Sequence, residues 1–137
     1  MHQINKILKI NVLRKLYLNN NPIGELGAKV LQKGLVLNNS LEELNISCCQ
    51  LQCGVICIFN GLVNSMQLQQ LDVSGNYICQ NITAHLVSYL SSTHSQCLKI
   101  IDSTLECEDF DLVLNILRPC FHLLLNQSHL HLFNNSS

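Results

Sequence analysis

The sequence predicts an α/β fold in which parallel strands form one layer and helices form a second. The first observation is an apolar pattern, Leu-x-x-Leu-x-Leu-x-x-Asn-x-Ile, that begins at Leu13 and returns 28 residues later at Leu41 and 27 residues after that at Leu68. The second is that each copy is followed by residues with apolar side chains at three- and four-residue steps, which is the period of a helix. Units of one strand and one return segment at this period stack side by side, so their strands run parallel.

The first unit displays this plan over residues 13–40. Side chains alternate along a strand, so Leu16 and Leu18 are expected to face the core. Lys15, Tyr17 and Asn19 then face the other side. Pro22 and Gly24 mark a turn, because proline presets φ and glycine accepts a positive φ. A helix from Glu25 is expected to bury one apolar stripe, consisting of Leu26, Val30, Leu31 and Leu35.

The second and third units repeat the strand and the helix. Strands are predicted near Glu43–Ser47 and Gln70–Ser74. The helix of the second unit is expected from about Gly54, with Ile58, Leu62 and Met66 on one face. The apolar residues of the third helix are expected to be Ile82, Leu86, Val87 and Leu90.

The two ends of the chain depart from the plan. Residues 1–12 align with the end of a repeat, so we expect a helix there that belongs to a truncated unit. A fourth unit is predicted to begin near Leu98, with Ile101 as its second anchor, and to end the repeat region 13–117 before Pro119. Residues 118–137 match no repeat, and an irregular tail is expected there.

These motifs resemble the ribonuclease-inhibitor type of leucine-rich repeat. The units are 27–30 residues long, and Asn21, Cys49 and Asn76 alternate at the ninth position of the pattern, where a polar side chain serves backbone groups as the strand turns away. The resemblance implies a horseshoe-shaped solenoid with strands on the concave face and helices on the convex face. It also implies binding of other proteins, usually inside cells. The truncated unit at residues 1–12 indicates a fragment or short isoform of a longer array.

The concave face is the candidate site, because polar side chains on a rigid curved sheet suit protein recognition. In-register strands are expected to align three columns of side chains: Lys15, Glu43 and Gln70; Tyr17, Asn45, Asp72 and Asp102; and Asn19, Ser47 and Ser74. If the fourth strand pairs, Asp72 and Asp102 are neighbours, and a basic partner would relieve their repulsion. The alternative is a solvated inner face, with the real partner contacts made by repeats that are missing from this chain.

Composition and motifs argue against other functions. Eight basic and nine acidic residues leave a net charge of −1, which gives no basic footprint for nucleic acid. The first residues lack the features of a signal peptide, and no apolar run reaches the ~18 residues of a membrane helix. We therefore expect a cytoplasmic or nuclear chain that binds neither membrane nor nucleic acid.

Catalysis and metal binding also have little support. Cys49, Cys53 and Cys57 lack the paired spacing of a zinc site, and none of the common hydrolase or phosphate-binding motifs occurs. We expect no enzymatic activity, no cofactor, no metal and no small-molecule substrate. The alternative is a regulator of a small GTPase, since some proteins with similar repeats stimulate GTP hydrolysis. Such a role could use an arginine, and the chain has Arg14 and Arg118.

Overall fold

The computed structural model describes residues 1–76, 84–85, 88–89 and 97–99. For residues 97–99 it describes the backbone. Helices alternate with short strands along most of the described residues. The elements are α1 (His2–Lys9), β1 (Lys15–Tyr17), α2 (Gly24–Leu37), β2 (Glu43–Asn45), α3 (Gly54–Leu62), β3 (Gln70–Asp72) and β4 (Cys97–Lys99). The described residues at 84–85 and 88–89 are helical as well. No helix among the described residues is long and apolar enough to cross a membrane.

The four strands form one sheet in the order β1-β2-β3-β4, and every pair is parallel. Leu16 pairs with Leu44, and Leu44 pairs with Leu71. The spacing of 27–28 residues between leucines therefore becomes a register of aligned leucines. The predicted α/β class with a parallel sheet is confirmed, although each strand has three residues and is shorter than expected.

The fourth strand pairs in a different register from the predicted one. Leu98 lies opposite Leu71, and Lys99 lies opposite Asp72. The prediction that Asp102 is the neighbour of Asp72, with Ile101 as the second anchor, is therefore wrong. The observed register differs from the predicted one by three residues. It also fits the repeat pattern, because Leu98 and Ile100 have the same two-residue spacing as Leu71 and Val73. Asp102 itself lies outside the described residues, as does the tail at 118–137.

The core lies between the sheet and the helices. Leucines from β2 and β3 share one buried cluster with side chains of α2 and α3. Each fully buried leucine contributes about 1.5–3 kcal/mol to folding relative to an exposed one. The cluster includes the strand residues Leu44 and Leu71 and the helix residues Ala28, Leu31, Leu35, Val55, Ile58, Phe59 and Leu62.

Two residues predicted for the helix stripes are exposed. Leu26 is 76% exposed, because the buried face of α2 follows Ala28, Leu31 and Leu35, and Leu26 lies two residues, or about 200°, from Ala28. Met66 is 59% exposed, because α3 ends at Leu62. These two predictions are wrong. The four apolar residues predicted for the third helix lie outside the described residues, but that segment contributes Tyr89, whose ring centroid is 5.1 Å from that of Phe59.

Helices α2 and α3 approach each other closely at Gly54. A Cβ atom at this position would lie 2.7 Å from Cβ of Ala28, which is too close for two carbon atoms. The small residues let the helix layer follow the short distance between neighbouring strands.

A buried asparagine ties the end of α2 to α1. The Asn38 Nδ2 donates to the Leu8 carbonyl at 2.9 Å, and its Oδ1 accepts the amides of Ser40 and Leu41 at 3.2 and 2.9 Å. Asn38 is 6% exposed and begins an Asn-x-Ser glycosylation motif. Because its amide nitrogen is already bonded inside the fold, this position does not suit a glycan.

Candidate functional site

Six side chains form the outer face of the sheet, which is the side away from the helices. The register aligns Lys15 with Glu43 and Gln70, and it aligns Tyr17 with Asn45 and Asp72. Lys15, Tyr17 and Gln70 are exposed, whereas the other three are half-buried. We call this set the outer face; its members are Lys15, Tyr17, Glu43, Asn45, Gln70 and Asp72. The structure thus brings together six of the ten side chains predicted for partner binding.

Three further predicted residues follow the strands rather than belonging to them. Asn19, Ser47 and Ser74 are half-buried in the turns, where backbone hydrogen bonds link one turn to the next. The Asn20 amide donates to the Ser47 carbonyl at 3.0 Å, and the Cys48 amide donates to the Ser74 carbonyl at 2.8 Å. This third column is therefore a rim beside the outer face.

Glu43 contacts two other side chains of the outer face. Its Oε2 accepts a hydrogen bond from the Tyr17 hydroxyl, and its Oε1 lies 3.4 Å from Lys15 Nζ. The bond from Tyr17, followed by that from Lys15, lowers the pKa of the Glu43 carboxyl. The same bond raises the pKa of Tyr17. At neutral pH Glu43 is thus an anion whose side chain is held by a neutral tyrosine and a lysine on the neighbouring strand.

Two residues of the outer face, Asn45 and Asp72, also have a structural role that was not predicted from the sequence. The Oδ1 atom of each accepts the amide of the residue two positions later, Ser47 or Ser74, at 3.0 Å. Such a bond closes a turn at the end of a strand. The signal was visible in the repeated sequences Asn-Ile-Ser and Asp-Val-Ser. Tyr17 occupies the same position in β1 and has no comparable acceptor.

The residues at the ninth position of the pattern form a ladder along the stack, which consists of Asn21, Cys49 and Asn76. They link neighbouring turns unequally. Asn76 donates through Nδ2 to the carbonyls of Ile46 at 3.0 Å and Val73 at 2.9 Å. Its Oδ1 accepts the amides of Cys49 at 3.0 Å and Leu51 at 3.2 Å. The asparagine therefore joins two units and satisfies backbone groups that no water reaches.

Cys49 makes weaker hydrogen bonds between units than Asn76 does. Its Sγ lies 3.1 Å from the Leu18 carbonyl and 3.3 Å from that of Ser47, and a thiol has one weak proton to donate. Burial raises the pKa of Cys49, which keeps the thiol protonated. Asn21 is exposed, and its Nδ2 binds the carbonyls of Leu18 and Asn19 in its own unit, at 2.9 and 3.3 Å.

The other candidate residues lie away from the outer face. Arg14 is exposed just before β1 and pairs with Glu42 at 3.4 Å, while Arg118 lies outside the described residues. Cys57 packs against the core, and burial raises the pKa of its thiol. Among the described residues no three side chains of His, Cys, Asp or Glu cluster closely enough to hold a metal ion.

A depression of about 250 Å³ lies in the outer face between β1 and β3. Its floor is formed by the strands at Leu44 and Leu71. Two carboxylates, two amides and one phenol ring surround the floor, from Tyr17, Glu43, Asn45, Gln70 and Asp72.

Residues 40–62 match the family model described as Leucine Rich Repeat. The chain contains a leucine-rich repeat. The matched repeat covers β2 and α3, so it includes the middle strand on which Glu43 lies. No curated protein matches the chain. Leucine-rich repeats generally mediate contacts between proteins, because stacked repeats offer an extended binding surface.

Proposed function

We propose that the chain is a protein-interaction module whose contact surface is the outer face of the sheet. The observation that supports it is the alignment of polar and charged side chains across β1, β2 and β3 on a side of the sheet that no described element covers. A partner that lies across the strands could contact Tyr17, Glu43 and Asp72 together. The exposed Tyr17 ring supplies the aromatic side chain that is enriched in the centre of interfaces.

We further propose that the repeats form a horseshoe solenoid of the ribonuclease-inhibitor type, with the outer face on its concave side. Parallel strands are spaced about 4.8 Å apart, whereas helices need about 10 Å. A stack with strands on one side and helices on the other therefore curves toward the strands. Small residues at the contact between α2 and α3 reduce this difference and moderate the curvature.

The proposed partner is a protein rather than a nucleic acid, a membrane or a small molecule, and the proposed role is that of a non-enzymatic scaffold in the cytoplasm or nucleus. The mixed charge of the outer face supports this choice, because Lys15 pairs with Glu43 and Asp72 adds a second carboxylate. A nucleic-acid surface would need a basic stripe. A drug-sized ligand would need a pocket of about 300–1,000 Å³, which is larger than the depression.

The test is photo-cross-linking in cells with a benzophenone amino acid at one of two exposed positions. The first position is Gln70 on the outer face, and the matched control is Lys33 on the helix layer. The proposal predicts a discrete protein adduct from position 70 and none of the same mass from position 33. Equal adducts from both positions, or an adduct from position 33 alone, would contradict it.

A regulator of small GTPases is the alternative proposal. The side chain of Arg14 is 74% exposed despite its pair with Glu42, so it could reach a bound protein. Hydrolysis by a panel of small GTPases separates the two functions. Acceleration that is lost in Arg14→Ala would favour the regulator, whereas no acceleration would favour simple binding.

A further inference from the structure

The depression in the outer face has the size of one side chain. Its volume of about 250 Å³ lies below the range of about 300–1,000 Å³ that is usual for pockets that hold whole small molecules. The strands form its floor at Leu44 and Leu71, whose side chains are each 1% exposed because they point into the core. An occupant would therefore meet backbone below and the polar side chains of three strands around it.

The charge of the depression is acidic. Among the described residues, those that line it include the carboxylates of Glu43 and Asp72 and no basic residue. Lys15, just outside, pairs with Glu43 and balances one of the two negative charges. The backbone position in register with Asp72 on its other side is Lys99 of β4. The described lining residues carry two carboxylates, one of them paired with Lys15, and this lining suits a cationic side chain.

Both carboxylates are held in place before any partner arrives. Glu43 is fixed by the Tyr17 hydroxyl and by Lys15. The Asp72 Oδ1 accepts the Ser74 amide at 3.0 Å, and a carboxylate has about four acceptor positions. Groups that are already oriented lose little conformational freedom on binding.

We propose that this depression receives an arginine side chain of the protein partner, an inference that rests on the proposed function. The guanidinium group is planar and presents several N–H donors in one plane, which suits two carboxylates on neighbouring strands. Its flat face stacks on an aromatic ring, and the Tyr17 ring lines the same depression, 58% exposed. A lysine ammonium matches the charge but neither the planar donors nor the stacking.

The probe is N-acetyl-arginine amide, titrated into the full chain and followed by ¹⁵N–¹H NMR. Its matched control is N-acetyl-citrulline amide, which has the same shape and no charge. The arginine amide should shift backbone signals of Tyr17, Glu43 and Asp72, with weaker binding as salt rises. The citrulline amide should leave these signals unchanged. Equal shifts from both compounds would overturn the proposal, and equal affinity for N-acetyl-lysine amide would overturn the choice of a guanidinium.

Two substitutions locate the site. Asp72→Asn removes the charge but keeps the Oδ1 atom that accepts the Ser74 amide, and it should weaken arginine binding about fivefold, as expected for a partly exposed ion pair. Glu43→Gln removes the other charge on a different strand, so it serves if Asp72→Asn does not fold. Glu25→Gln removes one charge from the helix layer and should change nothing. Unchanged affinity in the folded outer-face variants would overturn the proposal.

The cross-linking experiment keeps the two proposals separable. If position 70 captures a protein but the arginine amide does not bind, the arginine site is wrong and the proposed function stands. If the arginine amide binds as described but the outer face captures no protein, the proposed function is wrong and the depression remains a guanidinium site.

Discussion

The first and second units carry leucines at equivalent positions, yet the structure buries them to different degrees. In the second unit Leu41, Leu44 and Ile46 are at most 1% exposed. Their counterparts in the first unit are partly buried and pack at the margin of the core: Leu13, Leu16 and Leu18. The difference follows from position, because β2 lies between two strands and β1 lies at the edge of the sheet.

The helix layer shows the same contrast. Leu35 and Leu62 are each 1% exposed, whereas Ile7, at the corresponding place in the repeat pattern, is 44% exposed, and α1 buries the next residue, Leu8, in its place. A repeat therefore obtains part of its burial from the units on either side of it. Stability in such a stack is approximately a sum of unit terms and nearest-neighbour terms, so equal substitutions in the two units should have unequal effects.

The largest difference is expected at the leucines. Leu44→Ala should lower the free energy of unfolding by about 2–5 kcal/mol, through lost burial and a cavity. Leu16→Ala should cost about half as much, because its side chain already contacts water. Urea unfolding followed by circular dichroism measures both. Equal costs would show that β1 is covered as well as β2.

The ladder gives the next largest difference. Asn76→Ala should cost about 2–3 kcal/mol, because it leaves buried backbone groups of two units without partners. Asn21→Ala should cost less than about 1 kcal/mol, since Asn21 is exposed and water can replace its bonds. The same unfolding experiment applies. If Asn21→Ala were the more damaging change, the assignment of Asn76 as the stronger rung would fail.

Two glycines with positive φ provide a third comparison. Gly24 has φ 70° with no atom within 4 Å of an added Cβ, whereas a Cβ on Gly75, with φ 68°, would lie 2.5 Å from Cys48 Sγ. Gly24→Ala should cost about 1–2 kcal/mol from backbone strain alone. Gly75→Ala should cost more. In a Cys48→Ala background the excess should vanish, and a double-mutant cycle that shows no coupling would refute the steric explanation.

The smallest effect concerns the pH response of Glu43. Tyr17→Phe should raise the pKa of the Glu43 carboxyl toward its ordinary value, and Lys15→Met should raise it by less. The folded-state pKa lies below that of the unfolded chain, so the stabilisation is present above the ordinary glutamate pKa. It is lost as pH falls through the folded-state pKa. NMR titration of the carboxyl measures the pKa, and an unchanged value in Tyr17→Phe would exclude the phenol bond as its main cause.

The outer face was predictable to the extent that it depends on alternation. Lys15, Glu43 and Gln70 fall in one column because a period of 27–28 residues aligns the strands and because successive side chains point to opposite faces. The hydrogen bond from Tyr17 to Glu43 was not predictable. It joins different columns on neighbouring strands, so it depends on rotamers and on sheet twist.

The register of β4 could not be predicted from the repeat pattern. The segment Leu98–Ile101 contains apolar residues at both two- and three-residue spacing, so two registers satisfy the repeat pattern. Backbone pairing with β3 selected the one that aligns Leu98 with Leu71. As a result Lys99, and not the predicted Asp102, is in register with Asp72.

By itself, the sequence determined the strand–turn–helix plan, the aligned leucines and the ladder positions, because each depends on local periodicity and on a repeated spacing. The tertiary structure alone decided which leucines are fully buried, which rung of the ladder joins two units, and that Glu43 is held by two residues of β1. These properties depend on distances between atoms that lie 25–31 residues apart in the chain. Such distances exist only after the units have stacked, since an isolated repeat has no neighbour to bury or bind its side chains.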